Sequence, residues 1–170
     1  MNVLVDLLSE LSNAEDIALR DPWGYIAQSV AKVKQTDLKA NISFFPGPCG
    51  EFGFITNIQE NNLSVGTLFK AAFDNMADNY FNCALRIWPD RSWENIVFSG
   101  GLARKLTVLR NIIKRRFQSE SRLCPVEEDT LLGLMVLAMA FTGRTGSVAE
   151  AMRLVSSHYA SQSEATQTTN

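Results

Sequence analysis

The 170-residue chain reads as a helix-rich α/β domain with short strands. Two observations predict that class. Apolar residues recur at helical spacing along several long segments, whereas the runs between them are short and bounded by Gly, Pro or Asn. One such run, Ile96-Val97-Phe98, passes through Ser99-Gly100-Gly101 directly into a helical pattern, the strand–turn–helix step of an α/β crossover.

Val3, Leu4, Leu7, Leu8 and Leu11 share one face of a helix over Asn2–Leu11, so the chain opens inside a core helix. A second helix starts on Asp21 as N-cap with Pro22 in its first turn, and Trp23, Ile26, Ala27, Val30 and Val33 form its buried stripe. Asn41–Phe45 and Phe54–Ile58 read as strands. Between them Pro46–Gly53 is dense in residues that interrupt regular structure, and it has two readings. It is a hairpin-like connection, or a loop whose Gly47, Gly50 and Gly53 border a ligand cleft.

The longest predicted element covers Ser64–Ile87. Its stripe is Val65, Leu68, Phe69, Ala72, Phe73, Met76, Tyr80, Cys83, Ala84 and Ile87, its N-cap is Asn62 or Ser64, and Pro89 closes it. After the Ile96–Phe98 strand and the paired glycines, an amphipathic helix carries Leu106, Leu109, Ile113 and Phe117 inward. Backbone N–H groups left free at such a helix start suit a phosphate or the polar edge of a nucleotide. Arg122–Cys124 is a further short strand.

Pro125–Thr130 then leads into Leu131–Phe141, apolar nearly all round and therefore expected to be buried. Glu127, Glu128 and Asp129 favour the positive end of that helix's dipole. Gly133 within it is about 1 kcal/mol less favourable than alanine, so it is read as serving a close backbone approach. A short helix follows over Ser147–Val155. Ser156–Asn170, rich in Ser, Thr and Gln, is expected to be a disordered polar tail, leaving residues 1–155 as the folded part.

Composition narrows the function. Hydrophobic residues make up 46% and charged residues 20%, the balance of a globular protein. A formal net charge of −2 argues against holding nucleic acid by bulk electrostatics. Arg104, Lys105, Arg110, Lys114, Arg115 and Arg116 share one region of one helix, but no interleaved aromatic platform accompanies them, so they read as a solvated face. The single histidine, His158, excludes a histidine-based triad and a multi-histidine metal site. Cys49, Cys83 and Cys124 are widely spaced, form no C-x-x-C motif and read as three reduced thiols. The N-terminus lacks the pattern of a signal peptide, and Leu131–Phe141 falls well short of a membrane span, so a cytoplasmic location is expected.

The order of these segments resembles the adenosine-binding region of the FGGY carbohydrate kinases, in the actin-like ATPase superfamily. The resemblance is carried by the run Ile96–Lys105 and by Glu127-Glu128-Asp129-Thr130-Leu131-Leu132-Gly133. Phe54–Ile58, Asn62-Leu63-Ser64-Val65-Gly66 and the long helix through Asn79-Tyr80 extend it upstream. The wording is closest to the sedoheptulokinase-like branch, and the likeness covers Asn2–Phe141.

That resemblance implies an incomplete C-terminal, ribonuclease-H-like domain of the family, without its first strands. It implies an ATP site, with magnesium in the full-length family, in which Ser99, Gly100, Gly101, Leu102, Ala103, Arg104 and Lys105 face the nucleotide. Gly100 and Gly101 would lie against the α-phosphate and adenosine. Lys105 departs from the asparagine that some members carry near that position. The family's catalytic aspartate, its Asp-Gly phosphate turn and most sugar contacts belong to an N-terminal domain that this sequence lacks. Phosphoryl transfer rests on positioning and electrostatic stabilisation between these parts. The chain alone is therefore expected to be inactive, with no catalytic residue and no metal ligand of its own.

The expected partners are an adenine nucleotide and, for the apolar faces left by the absent strands, the kinase's N-terminal half or a second copy of the chain. Neither nucleic acid nor membrane is expected. The alternative function is a non-catalytic interaction module or a subunit of a split kinase.

Overall fold

The structure is a computed structural model that describes residues 2–43, 46–124 and 129–167, with side chains described through residue 157. Helices dominate. In chain order the elements are α1 (Asn2–Ala14), α2 (Pro22–Ala31), β1 (Lys39–Asn41), β2 (Phe54–Thr56), α3 (Val65–Ile87) and β3 (Asn95–Phe98). They are followed by α4 (Gly101–Lys105), α5 (Thr107–Phe117), β4 (Glu120–Leu123), α6 (Asp129–Phe141) and α7 (Val148–Gln167). The strands form two separate pairs, β1 with β2 and β3 with β4. The mixed α/β class is as expected.

The chain divides into two compact units, Met1–Ile96 with Lys105–Ser121, and Val97–Arg104 with Arg122–Asn170. In the first unit α3 is the central element. Phe69, Ala72 and Phe73 are fully buried on it, and α2 contributes Ile26 and Val30, β1 contributes Ala40 with Leu38 just before the strand, and α5 contributes Leu109, Ile112 and Ile113. Trp23 meets Phe69 edge-on at 6.0 Å, and Phe69 meets Phe73 at 6.1 Å.

The start signals act as read. The Asp21 carboxylate accepts from the Gly24 N–H at 2.9 Å, with Pro22 at the first helical position. Ser64, not Asn62, caps α3. Its hydroxyl accepts from the Thr67 N–H at 3.2 Å while the Thr67 hydroxyl accepts from the Ser64 N–H at 2.9 Å, a capping box with threonine in place of the usual Glu or Gln. At the other end Trp88 takes φ −138° and ψ 82°, because the residue before Pro89 is pushed out of the helical region.

The stripe of α3 is rotated from the expected one. Tyr80 and Ile87 are exposed, and Phe81 is buried in their place. Phe81 continues the series Phe69, Phe73, Ala77 at four-residue spacing and forms a three-ring cluster with Trp93 and Phe117, at centroid distances of 5.9 and 5.3 Å. The Arg116 guanidinium lies 4.1 Å from the Phe81 ring centre and pairs with Asp78.

The β1–β2 pair is antiparallel, with Lys39 opposite Thr56, Ala40 opposite Ile55 and Asn41 opposite Phe54. Both strands are shorter than read, and β1 lies earlier, where Ala40 turns to the core. The expected Phe44 and Phe45 lie outside the described residues. β2 stops because Asn57 adopts φ 60°, a left-handed conformation incompatible with a strand. The Asn57 amide then donates to the Asp37 carbonyl at 3.2 Å.

Helix α1 departs further from expectation. Leu4 and Val5 are buried, but Val3, Leu7, Leu8 and Leu11 are exposed, so the expected core stripe faces outward. Val5 and Leu8 line an apolar cleft of about 460 Å³ with Pro22, Tyr25 and Ile26.

In the second unit α6 and α7 pack through Val136, Ala151 and Val155, with Leu132 and Met139 against them. Ser147 starts α7 by accepting from the Glu150 N–H at 3.1 Å, and the Glu150 carboxylate reaches back to the Gly146 N–H at 2.7 Å. The expected burial of α6 is overturned. Leu131, Leu134, Met135, Leu137 and Phe141 are exposed, because packing against α7 covers one side of the helix and burial needs a partner on every face. Gly133 is not at a close approach among the described residues either: beyond its neighbours and its own helix backbone, none of their atoms lies within 4 Å of the position its Cβ would take. Helix α7 continues past Val155 to Gln167, so residues 156–167, expected to be disordered, are helical. No Gly or Pro interrupts that segment, and its Ala, Glu and Gln residues tolerate a helix. Residues 168–170, Glu127 and Glu128 lie outside the described residues, and so does the His158 side chain. No helix among the described residues is long and apolar enough to cross a membrane.

Candidate functional site

Strand β3 delivers Ser99 to the surface, and Phe98 behind it is buried. The Cys124 N–H donates to the Phe98 carbonyl at 2.7 Å, holding the end of the strand in place. Gly100 then takes φ +81°, a conformation that an L side chain rarely adopts, which makes glycine the fitting residue for the turn. Gly101 opens α4. Among the described residues, no atom beyond the adjoining residues and the helix's own backbone lies within 4 Å of the Cβ position of either glycine. Gly100 is thus favoured by the backbone, whereas neither a positive φ nor packing among the described residues calls for glycine at 101.

The remaining residues expected to face a nucleotide are divided. Ser99 and Gly101 are exposed, and Leu102, Ala103 and Arg104 are half-buried. Arg104 turns back into its own unit, where its guanidinium donates to the Cys124 carbonyl. Its N–H continues the local ladder to the Gly100 carbonyl at 3.1 Å. Lys105 is exposed and belongs to the first unit.

The helix expected to run unbroken beyond Gly101 is interrupted at Leu106, which has φ −103° and ψ 84°. The break turns the Leu106 side chain into the core, where it is 2% exposed, and α5 restarts at Thr107 without a side-chain cap. The helix at the paired glycines is therefore only five residues long, Gly101 included. The macrodipole of so short a helix is small, since it builds up from aligned peptides. Any ligand contact at this turn would rest on the exposed backbone and the missing side chains.

The glycine loop of the first unit is a closed turn. Gly47 and Gly50 exchange backbone hydrogen bonds at 2.9 and 3.2 Å, the geometry of the hairpin-like reading. Gly53 follows, exposed, before β2. The loop is attached to α3: the Cys49 sulfur lies 3.6 Å from that of Cys83, and the Arg86 guanidinium donates to the Pro48 carbonyl at 3.5 Å. Removal from water, then the hydrogen bond and charge of Cys83, push the Cys49 thiol above its ordinary value, against a smaller opposing pull from Arg86.

Two features escaped the sequence reading. One is this thiol contact, between residues 34 positions apart with no local spacing to signal it. The other is an open cavity of about 920 Å³ in the first unit, where Lys34, Lys70, Lys114 and Arg115 meet Trp93 and Glu94. Lys70 is 9% exposed and is held by the Asp74 carboxylate at 2.7 Å. The basic face of α5 is similarly engaged, with Lys114 on Glu120 at 2.7 Å, Arg116 on Asp78 and Arg110 on the Thr107 hydroxyl at 3.0 Å. Among the described residues no group of three or more His, Cys, Asp and Glu is arranged to hold a metal ion.

No protein-family model, curated protein or solved structure matches the chain.

Proposed function

We propose that this chain is the adenosine-side part of an ATP-dependent carbohydrate kinase of the FGGY type, nearest the sedoheptulokinase-like branch. Alone it binds adenine nucleotide weakly and transfers no phosphoryl group. One observation carries the reading: β3 runs through Ser99 into a positive-φ glycine and a second glycine, Gly101, that packing among the described residues does not require. A glycine free of internal constraint on an exposed strand-to-helix turn is suited to close approach of a planar or phosphate-bearing ligand. The resemblance of the run Ile96–Lys105 supplies the ligand class.

The inactivity follows from what phosphoryl transfer demands. A base for the acceptor hydroxyl, a clamp on the transferred phosphate and a sugar site must converge. The residues proposed here supply none of these. Titration calorimetry of the folded chain with ATP and ADP tests the site, with heat of binding expected at millimolar nucleotide. A flat titration of a demonstrably folded sample removes the nucleotide claim, and turnover with a heptulose and ATP overturns the inactivity.

A second reading, a non-catalytic module or split-kinase subunit, is favoured by the exposed Val3, Leu7, Leu8 and Leu11 of α1 and the exposed Leu131, Leu134 and Phe141 of α6. Co-expression with the N-terminal half of an FGGY kinase separates the two: recovered activity supports the subunit, and sedimentation of the chain alone reports self-association.

A further inference from the structure

Cys49 and Cys83 lie in the first unit with their sulfurs in contact at 3.6 Å, and both are partly accessible. Cys83 is fixed within α3. Cys49 sits in the turn closed by Gly47 and Gly50, whose neighbours Pro46, Glu51 and Phe52 are exposed. The turn leans along successive turns of the helix: the Cys49 sulfur also reaches the Asn79 carbonyl at 3.9 Å, one turn before Cys83, and Arg86 holds Pro48. The Ser43 hydroxyl donates to the Cys49 carbonyl at 3.2 Å and orients the residue from the other side.

We propose that Cys49 and Cys83 are an oxidation site, closed to an intramolecular disulfide by a small disulfide oxidant of the glutathione class. A disulfide needs its sulfurs about 2.05 Å apart, so the pair must close by roughly 1.5 Å. The exposed loop that carries Cys49 can supply that movement while α3 stays in place.

The chemistry is two thiol–disulfide exchanges. The thiolate of one cysteine attacks a sulfur of the oxidant, and a glutathione thiolate leaves with the electron pair of the broken S–S bond. The second cysteine gives its proton to water, and its sulfur attacks the protein sulfur of the mixed disulfide. The second glutathione thiolate is expelled. Two protein S–H bonds are exchanged for one S–S bond, and the oxidant is reduced to two thiols. Contact of the sulfurs favours the second step, because the resolving thiol acts at an effective concentration that the unfolded chain lacks.

The test treats the full chain with glutathione disulfide under native conditions and in denaturant, then alkylates the remaining thiols and maps peptides without reduction. The expected product is two hydrogens lighter, accepts one alkyl group, on Cys124, and joins the Cys49 and Cys83 peptides. It forms at least about tenfold faster in the native chain than in the unfolded one. Cys124→Ser keeps the product, while Cys49→Ser and Cys83→Ser each remove it. The wild-type map alone decides the matter should a variant not fold. Stable glutathione adducts without closure, a bridge to Cys124, or equal rates in the folded and unfolded chains each overturn the proposal.

Discussion

The Cβ that Gly66 lacks would stand 2.9 Å from the carbonyl oxygen of Ser29 and 3.2 Å from a methyl of Val33. Gly66 lies in the first turn of α3, and Ser29 lies near the end of α2, so this glycine sets how closely the two helices pack. Backbone cannot yield as a flexible side chain does. Gly66→Ala is expected to destabilise the first unit by about 1–3 kcal/mol, the usual cost of overpacking. Urea denaturation followed by tryptophan fluorescence measures it, since Trp23 stands against Phe69 in the same packing.

Loss of the Ser64 hydroxyl removes a cap that nothing nearby replaces. Ser64→Ala is expected to cost about 1 kcal/mol. The Thr67 hydroxyl also donates to the Asn62 carbonyl at 2.6 Å, so it keeps part of the connection when Ser64 is gone. Ser64→Ala and Thr67→Ala should therefore not add, and a double-mutant cycle on denaturation midpoints checks this.

Gly100 and Gly101 should separate stability from binding. Gly100→Ala forces a side chain into positive φ and is expected to cost about 1–2 kcal/mol. Gly101→Ala meets no protein atom at a helix start and should change stability by less than about 1 kcal/mol, with alanine the better helix former. Calorimetry with ADP should show weaker binding for Gly101→Ala. Unchanged binding would count against contact at that residue.

Arg116 packs its guanidinium over Phe81 while pairing with Asp78. Both partners are partly exposed, so Arg116→Ala is expected to cost only about 0.5–1 kcal/mol. Trp93 adjoins the same ring and should report the change in its emission. Arg116→Lys keeps the charge but not the stacking plane, and should recover part of the loss.

The raised Cys49 thiol carries a pH dependence of definite sign. Its folded value lies above the unfolded value near 9.0, so the folded chain holds the proton more tightly. The associated stability is fully present below that unfolded value and is lost as pH rises through the folded one. Melts in reductant between pH 8 and 10 should show a decline that Cys49→Ser reduces. A stability curve indifferent to that substitution would argue against the shift. The groups facing the thiol are Cys83 and Arg86 on α3.

Local signals were legible wherever the determinant was local. Asp21 with Pro22, Ser64 and Pro89 mark their helix ends through side-chain and backbone chemistry within four residues, and each acts where it was read. Boundaries set by non-local pairing were less legible. β1 lies where Ala40 finds the core, and the break at Leu106 accompanies burial of that side chain in the first unit. The candidate turn was legible as strand, glycine pair and helix. The engagement of Arg104 by the Cys124 carbonyl was not, because twenty residues separate them and no periodicity links them.

The sequence alone determined the α/β class, the length of α3, the caps, and the glycines of the Ser99–Gly101 turn. These follow from steric and hydrogen-bonding rules that act within a few residues. Only the tertiary structure decided which apolar faces are covered. Composition marked both α1 and α6 for burial, yet Leu11 and Phe141 are 81% and 83% exposed. The physical reason is that hydrophobic free energy is gained only when a second surface displaces water, and a helix cannot specify in its own residues whether that surface is present.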